Sequence, residues 1–286
     1  MVALRHATLS VEGEGMPEYP LVTIVTPTLN QAAYIRETID SVAAQDYPNI
    51  EHIIADGGST DGTLDILSSA GNKIIWWSEN DAGQAAAINA AIRRSAGLIV
   101  TWLNSDDTLL PGAVSWAVAG FRRNPDAGVV FGDTLFTGPS GTPLYTSTSV
   151  PFEYESLSIK WRNPIPQPSA FFSRYAFYWA GALDTRLHYF FDWDLWLRIG
   201  LSCPIVYDPV LLSTYRLHSA SKSEGSRCYA HELEQVYRKF FGGPLPPKIR
   251  LQESEALRNM YERSAEYYSH SGLRWKALQC KLRRMM

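Results

Sequence analysis

The segment LIVTWLNSDDTLLP, residues 98–111, contains the pattern that decides the fold. An apolar run at residues 98–103 ends abruptly in Asn-Ser-Asp-Asp at residues 104–107. In open α/β sheets, ligands bind beyond the carboxyl ends of the strands, which is where this run delivers two carboxylates. Asp106 and Asp107 would repel each other without a cation between them, and hard oxygen ligands favour Mg²⁺ or Mn²⁺. The segment therefore predicts a metal-assisted enzyme that acts on a phosphorylated substrate.

Shorter apolar runs recur upstream and alternate with helical patterns. Predicted strands cover residues 21–26, 50–55, 73–77 and 98–103, and predicted helices cover residues 31–44, 60–69 and 82–95. Ser59 or Thr60 is the predicted cap of the second helix. Strands that alternate with helices form a parallel sheet. We therefore predict an α/β fold with a mostly parallel, doubly wound sheet and helices on both faces.

The alternation weakens after residue 111. The predicted elements there are a helix at residues 112–123, a strand at 128–131, a hairpin at 133–147 and a helix at 192–199. Residues 138–141 (Gly-Pro-Ser-Gly) supply the hairpin turn. From about Ser223 the sequence becomes polar and helical, with a break at residues 242–247. We therefore expect a C-terminal helical appendage.

Composition argues against several classes of function. The formal net charge of −3 gives no general affinity for nucleic acid. The three cysteines lie far apart and form no metal-binding pattern, and such a sparse set fits a reducing compartment. Residues 1–19 read as a polar tail without the apolar segment of a secretory signal, and no run of about 18 apolar residues occurs. We therefore expect a cytoplasmic protein without a membrane-spanning helix.

Polar loops follow the first, second and fourth predicted strands. They are residues 26–28 (Thr-Pro-Thr), 56–59 (Asp-Gly-Gly-Ser) and 104–107, which a parallel sheet places at one edge. The Asp56 carboxylate can accept hydrogen bonds from a base or a ribose, and the glycines let backbone approach a ligand. The helix N-termini that follow add positive partial charge for phosphates. Taken singly, residues 56–59 also fit a capped turn and residues 106–108 a helix entrance.

Four segments together resemble family 2 glycosyltransferases, which have the GT-A fold. The segments are VTIVTPTLNQAAYIRETIDSVAAQDYPNIEHIIADGGSTDGT (residues 22–63), ENDAGQAAAINAAI (79–92), LNSDD (103–107) and FDWDLWLR (191–198). They occur in the family's order with matching spacing, and the resemblance covers about residues 20–220. The Asp-Gly-Gly-Ser loop and NPIPQPSAFF (163–172) are also similar to the bacterial subgroup that builds cell-surface polysaccharides, including colanic-acid-type enzymes.

The resemblance implies inverting transfer of a sugar from a UDP- or GDP-sugar to a hydroxyl acceptor, with Mn²⁺ or Mg²⁺ as cofactor. The implied acceptor is a growing surface polysaccharide or a lipid-linked glycan. Residues 20–222 would form the GT-A domain, divided into a nucleotide-binding half (20–107) and an acceptor half (108–222), and residues 223–286 the helical extension. Carried over by position, the nucleotide-sugar contacts are Thr26, Pro27, Asn30, Asp56, Gly58, Asp81, Gln84, Asn89 and Asp106.

The family's acidic metal motif matches Asp106 and Asp107. Many relatives have Asp-Asp-Gly-Ser where this chain has Asp56-Gly57, and many have Asp at the position of Asn104. One acidic contact to the nucleotide is therefore missing here. The metal site also loses one formal charge, although the asparagine still supplies an oxygen.

Inverting transfer requires a carboxylate that takes the proton of the acceptor hydroxyl. In the family that this chain resembles, the acid precedes a helix on the acceptor side, and Asp192 is the best match by position. Phe191 stands where relatives often have Glu, and Asp194 is the alternative base. The purely structural alternatives are an N-cap for Asp192 and an interaction of Asp194 with the helix dipole.

Residues 215–223, YRLHSASKS, resemble the loop that follows the catalytic helix of the family. From this resemblance we expect His218 to be a further metal ligand. We also expect Arg216 or Lys222 to contact the diphosphate. A solvated loop is the alternative interpretation.

The C-terminal segment 273–286, LRWKALQCKLRRMM, contains five Lys or Arg residues and no acid. Such a segment can lie on an anionic membrane surface, and we expect it to contact the inner face of the plasma membrane. An ordinary exposed helix is the alternative. The imperfect apolar stripe consists of Leu273, Trp275, Ala277, Leu278 and Leu282.

Two other functions compete with glycosyl transfer. A non-catalytic sensor or scaffold on the same fold would bind a nucleotide sugar without turnover, and the acidic pair and candidate base argue against it. A sugar nucleotidyltransferase would need a glycine-rich, basic phosphate loop after the first strand. The segment PTLNQAAYI at residues 27–35 has neither property.

Overall fold

The computed structural model describes residues 16–147, 149–154, 163–219, 221–222, 229–270 and 272–284. The predicted tail, residues 1–19, is therefore described only from Met16. The predicted start of the helical extension at Ser223 lies outside the described residues.

Nine strands and ten α-helices make up the described part of the chain. The strands are β1 (Val22–Thr28), β2 (Ile50–Asp56), β3 (Ile75–Ser78), β4 (Ile99–Trp102), β5 (Thr108–Leu109), β6 (Val129–Thr137), β7 (Pro143–Thr146), β8 (Ala170–Ser173) and β9 (Ile205–Arg216). The helices are α1 (Ile35–Ala43), α2 (Thr63–Ser69), α3 (Gln84–Arg94), α4 (Ala113–Arg123), α5 (Arg174–Trp179), α6 (Phe191–Gly200), α7 (Tyr229–Gly242), α8 (Pro247–Arg250), α9 (Glu253–His270) and α10 (Arg274–Arg284).

One sheet contains all nine strands, in the order β3-β2-β1-β4-β8-β6-β9-β5, with β7 added to β6. The strands β1 to β4 are parallel, as the alternation predicted. Beyond them β8 runs antiparallel to both β4 and β6, whereas β6 and β9 are parallel. The α/β class is confirmed, with its parallel part formed by the first four strands.

Alternate residues of the central strands pack into different cores, because successive side chains of a strand point to opposite faces of the sheet. Val100 and Trp102 of β4 join a core with α3, α6 and α7. Ile99 and the following Leu103 join another core with α4. Helices therefore cover both faces, and the carboxyl ends of β1 and β4 remain between them.

Two local expectations differ from the structure. The helix α2 begins only at Thr63, after Gly62 in a left-handed conformation (φ 96°), so neither Ser59 nor Thr60 caps it. Ser59 instead donates its hydroxyl to Asp56. The predicted hairpin is confirmed as β6 and β7, but β6 starts earlier and runs from Val129 without interruption, because β9 pairs with it along most of its length.

The C-terminal helices continue the core that begins on the sheet. Leu233 and Val236 of α7 are fully buried in the same core as Trp196 of α6. The predicted break at residues 242–247 separates α7 from α8. Of the helices that the structure describes, none is long and apolar enough to cross a membrane.

We expect Gly132→Ala to destabilise the protein. An added Cβ at Gly132 would lie 2.3 Å from the Val210 carbonyl oxygen and 2.7 Å from Leu212 Cδ1. Overpacking of this kind costs about 1–3 kcal/mol, which urea unfolding measures. Gly138→Ala is the control in the same hairpin, since its Cβ would stay 3.8 Å from the Thr142 carbonyl oxygen. Equal unfolding midpoints for the two variants would contradict the prediction.

Candidate active site

A cleft of about 510 Å³ opens where β1 and β4 end, beside the first turn of α6. Polar side chains from the strand ends form part of its wall, and aromatic rings before and in α6 form another part. This is the edge at which a parallel sheet binds ligands. The lining residues are Pro27, Thr28, Leu29, Gln31, Asp81, Gly83, Gln84, Trp102, Asn104, Ser105, Asp106, Gln167, His188, Tyr189, Phe190, Phe191, Asp192, Tyr215, Ser221 and Lys222.

Asp106 lines this cleft, and the buried His218, which is not among the lining residues, contacts its carboxylate. The Asp106 Oδ2 atom lies 2.9 Å from His218 Nε2. The His218 ring also packs on the Tyr34 ring, with 4.6 Å between their centroids. The structure thus brings together two of the three predicted metal ligands. Within the described ranges, no three His, Cys, Asp or Glu side chains are grouped so as to hold a metal ion by themselves.

Asp107, the third predicted metal ligand, does not line the cleft. Its Oδ1 accepts a hydrogen bond from the Arg216 backbone N–H (3.0 Å), and its Oδ2 accepts one from Asn104 Nδ2 (3.2 Å). Burial and the neighbouring charge of Asp106 raise the pKa of the Asp107 carboxyl well above its usual range. Both oxygens therefore have donors within the protein in this structure, and the role of Asp107 as a metal ligand stays a prediction.

Of the nine predicted nucleotide-sugar contacts, four line the cleft, namely Pro27, Asp81, Gln84 and Asp106. The Asp81 Oδ1 atom accepts a hydrogen bond from the Gly83 backbone N–H at 2.7 Å, which shapes the turn into α3. Gln84 Nε2 donates to Asn104 Oδ1 at 2.8 Å. The start of α3 and the loop after β4 are therefore joined at the cleft floor.

The remaining predicted nucleotide-sugar contacts do not line the cleft. Thr26 Oγ1 pairs with His52 Nε2 inside the sheet, at 2.9 Å. Asn89 holds the backbone of Leu183, donating to its carbonyl oxygen at 2.9 Å and accepting from its N–H at 3.1 Å. The five residues that the structure places outside the lining are Thr26, Asn30, Asp56, Gly58 and Asn89.

Asp56 braces the loop after β2 instead of facing the cleft. It is 1% exposed. Its Oδ2 accepts hydrogen bonds from the backbone N–H groups of Gly58 and Ser59 (both 2.9 Å) and from Ser78 Oγ (2.6 Å). Asn30 braces the same loop, because its backbone N–H donates to Ser59 Oγ at 2.7 Å. Asp56, the predicted contact to the nucleotide base, therefore stabilises the protein's own turn.

Asp192 lies in the first turn of α6 and lines the cleft, as predicted for the base. Its side chain is half-buried. The Oδ1 atom accepts a hydrogen bond from the Trp193 backbone N–H (2.7 Å), and Oδ2 accepts one from Asn163 Nδ2 (3.3 Å). Burial raises the pKa of Asp192 to about 6, with a smaller contribution from the charge of Glu232. A carboxyl with such a pKa accepts protons more readily near neutral pH than an ordinary aspartate.

Asp194, the alternative base, lies away from the cleft. It is 3% exposed and forms ion pairs with Arg198 (2.6 Å) and Lys239 (2.8 Å). These pairs tie α6 to α7. Asp194 is therefore outside the lining of the cleft and paired with two cations, and its role as an alternative base stays a prediction.

Lys222 is the predicted diphosphate contact that reaches the cleft. Its ammonium donates to Gln84 Oε1 at 3.0 Å and lies 5.5 Å from the centre of the Phe191 ring. Burial lowers the pKa of this lysine. Arg216, in contrast, is buried: its Nε donates to the Asp106 carbonyl oxygen and its Nη2 pairs with Glu37.

His188, Tyr189 and Phe190 form a wall of the cleft that was not predicted from the sequence. The run of aromatic residues directly before Asp192 was the available signal. Glu232, whose carboxylate binds the backbone of that wall from α7, was not predicted either. Nothing in the local sequence distinguishes this glutamate from others on an exposed helix face.

Comparison with known proteins identifies the family. The model of the family described as "Glycosyl transferase family 2" matches residues 23–180, more than half of the chain. The chain belongs to glycosyl transferase family 2. An uncharacterized glycosyltransferase of Rickettsia prowazekii (strain Madrid E) is 30% identical over 232 residues, which cover 77% of this chain and 71% of that protein. The chain is therefore a glycosyltransferase.

Solved structures of glycosyltransferases share the fold. Staphylococcus aureus TarS (residues 1–349), in complex with UDP-GlcNAc, matches with a TM-score of 0.65 and 16% identity over 91% of this chain and 89% of that one. A mannosyltransferase from Pyrobaculum calidifontis, in complex with GDP-Man and Mn²⁺, matches with a TM-score of 0.62 and 21% identity over 92% of this chain and 74% of that one. The predicted GT-A fold is confirmed by these similarities.

Proposed function

We propose that this glycosyltransferase moves a sugar from a nucleoside diphosphate donor to a hydroxyl acceptor with inversion, and that Asp192 is the general base. The observation that carries the proposal is the half-buried Asp192 carboxyl, with its pKa raised to about 6, in the same cleft as Asp106 and Lys222. The UDP-GlcNAc bound to TarS and the GDP-Man bound to the Pyrobaculum mannosyltransferase support a nucleotide sugar as donor.

The cleft residues divide the work of direct displacement between them. The Asp192 carboxylate takes the proton of the acceptor hydroxyl while that oxygen attacks the anomeric carbon. The bond from the anomeric carbon to the diphosphate breaks, and negative charge develops on the leaving group. The Lys222 ammonium, held by Gln84, stabilises that charge. One displacement at one carbon inverts its configuration.

Asp106 and His218 would hold a divalent ion in this cleft. Their oxygen and nitrogen atoms already lie 2.9 Å apart; a carboxylate suits Mn²⁺, and a neutral imidazole is the commonest metal ligand in proteins. Two protein ligands are enough for an ion that takes its other ligands from substrate phosphates and water. Mg²⁺ in proteins is usually bound in this way. When bound, the ion would neutralise charge on the leaving diphosphate.

The base assignment predicts the pH dependence of the reaction. A base must be deprotonated, so kcat/KM should fall as the pH drops through about 6, the raised pKa of Asp192, and level off above it. Asp192→Asn should lower kcat by about 10²- to 10⁴-fold, with donor binding retained. Radiolabelled sugar transfer and calorimetric donor titration measure the two quantities.

Asp194→Asn is the matched control for this test. It removes a neighbouring carboxylate that pairs with Arg198 and Lys239, so it should reduce thermal stability and preserve kcat. Unchanged transfer by the Asp192→Asn variant would refute the base assignment.

The metal assignment predicts different behaviour for two adjacent acids. Asp106→Ala should abolish the extra thermal stabilisation that Mn²⁺ gives in the presence of UDP or GDP. Asp107→Ala should lower the unfolding temperature of the free protein, because Arg216 and Asn104 lose their acceptor, and should retain the Mn²⁺-dependent increment. Thermal unfolding with added Mn²⁺ or EDTA measures both effects. A full increment in the Asp106→Ala variant would refute the assignment.

We further propose that α10 contacts an anionic membrane, which would suit a lipid-linked or surface-polysaccharide acceptor at the inner face of the plasma membrane. Trp275, Leu278 and Leu282 are 70%, 45% and 52% exposed, and their spacing places them on one helix face. Ala277 of the predicted stripe is instead buried in the core. The five Lys and Arg residues of the segment 273–286 favour anionic lipid over neutral lipid.

Vesicle sedimentation tests the membrane contact. The full chain should sediment with vesicles that contain phosphatidylglycerol and less with pure phosphatidylcholine, and salt should weaken the binding. Replacing Trp275, Leu278 and Leu282 together by Ser should reduce sedimentation about fivefold or more. Leu251→Ser is the control, since Leu251 is 85% exposed but lies outside α10. Equal sedimentation of the triple variant and the control would refute the proposal.

A further inference from the structure

Glu232 reaches from α7 to the segment that forms the aromatic wall of the cleft. Its side chain is 6% exposed. Its two carboxylate oxygens accept hydrogen bonds from three successive backbone N–H groups, those of His188 (2.9 Å), Tyr189 (2.5 Å) and Phe190 (2.8 Å). Successive N–H groups that converge in this way form a concave site for an anion. Glu232 therefore occupies a backbone anion site with its own carboxylate.

The bound segment leads directly into the base. Phe190 is the residue before α6, and Asp192 is the second residue of that helix. The Phe190 carbonyl oxygen also accepts the Asp194 backbone N–H at 2.9 Å, so the wall and the first turn of α6 are joined. No side-chain hydrogen bond caps α6, and the Glu232 carboxylate binds the three backbone N–H groups immediately before its first residue. A shift of this segment would move the first turn of α6, and Asp192 with it.

We propose that Glu232 is a positioning residue of the transfer reaction, which holds the wall 188–190 and thereby aims Asp192 at the acceptor hydroxyl. The inference rests on the proposed role of Asp192 as the base. It gives the C-terminal helices a part in catalysis, because the residue that aligns the base comes from α7 and not from the GT-A sheet. Small errors of alignment are costly, since a displacement of about 1 Å can slow an enzyme about 10²-fold.

The charge of Glu232 also affects the pKa of Asp192. The Glu232 carboxylate repels the ionised form of Asp192 and so adds to the increase in its pKa that burial causes. The other charged or titratable groups that share the cleft with Asp192 are Lys222, His188, Tyr189, Tyr215, Asp81 and Asp106. Removing the charge of Glu232 should therefore lower the pKa of Asp192 and leave the burial contribution in place.

Two substitutions separate alignment from charge. Glu232→Gln preserves the length of the side chain but removes the charge and turns one acceptor oxygen into a donor, so at least one wall N–H loses its partner. Glu232→Asp preserves the charge and withdraws the carboxylate by one methylene. Glu234→Gln is the matched control on the same helix, because Glu234 pairs with Arg238 and Arg283 outside the cleft.

The experiment combines steady-state kinetics with an NMR titration of the Asp192 carboxyl carbon, assigned with Asp192→Asn. Circular dichroism and donor titration first establish that each variant is folded. Glu232→Gln should lower kcat about tenfold or more, keep donor affinity within twofold, and move the Asp192 midpoint and the acidic limb of kcat/KM to lower pH. Glu232→Asp should lower kcat with the midpoint unchanged, and Glu234→Gln should match the wild type in both.

The outcomes distinguish this proposal from the base assignment. Wild-type kcat together with a wild-type Asp192 midpoint in Glu232→Gln overturns the positioning role, and an inactive Asp192→Asn variant then leaves the base in place. In Glu232→Gln, a reduced kcat without any movement of the midpoint or limb shows that Glu232 acts only structurally, and it also overturns the proposal. Unchanged transfer by Asp192→Asn overturns the base and, with it, the role given to Glu232.

Discussion

The stacked pair of Trp102 and Trp196 joins the two halves of the candidate site. Their ring centroids lie 5.7 Å apart with an interplanar angle of 11°, and both side chains are fully buried. Trp102 is the last residue of β4, two positions before Asn104 of the polar loop, and Trp196 lies one turn beyond Asp192 on α6. Such a pair contributes about 0.5–1.5 kcal/mol beyond its buried area. The distance between the acidic loop and the proposed base is therefore set by a rigid aromatic contact.

Hydrogen bonds around this pair extend the same constraint to the cleft floor. Gln167 Nε2 donates to the Trp102 carbonyl oxygen at 2.5 Å, and Gln167 Oε1 accepts from Asn104 Nδ2 at 3.3 Å. Asn104 in turn accepts from Gln84, which also holds Lys222. A chain of neutral amides thus runs from the sheet to Lys222, the cation proposed to stabilise the leaving group. Because each amide both donates and accepts, the chain can orient charged groups without adding net charge.

The fold could be predicted because its signals are local. Runs of apolar residues, their periods and the turns between them lie within a few residues of each other, and they correctly gave β1 to β4 and the helices between them. The order of the later strands could not be obtained in this way. The strand β8 inserts antiparallel between β4 and β6, and that choice depends on pairing between segments about 40 to 70 residues apart.

The loops that form the site could be predicted from the sequence, but not which carboxylate of each loop faces the cleft. In each of the pairs Asp106/Asp107 and Asp192/Asp194, one acid faces the cleft and the other does not. The partners that decide this come from distant segments, such as the Arg216 backbone for Asp107 and Lys239 for Asp194. Asp56 shows the same effect, since its oxygens bind the turn that follows it.

Asn104 shows why one departure from the family pattern changes how the metal would be held. Its amide nitrogen lies between two acceptors, Asp107 Oδ2 at 3.2 Å and Gln167 Oε1 at 3.3 Å. An aspartate here could donate to neither, and it would add a third carboxylate to a pair in which Asp107 is already destabilised as an anion by burial and by Asp106. The asparagine therefore relieves repulsion and holds Asp107 away from the cleft. It follows that Asp106, with His218, is left as the protein's contribution to the proposed ion.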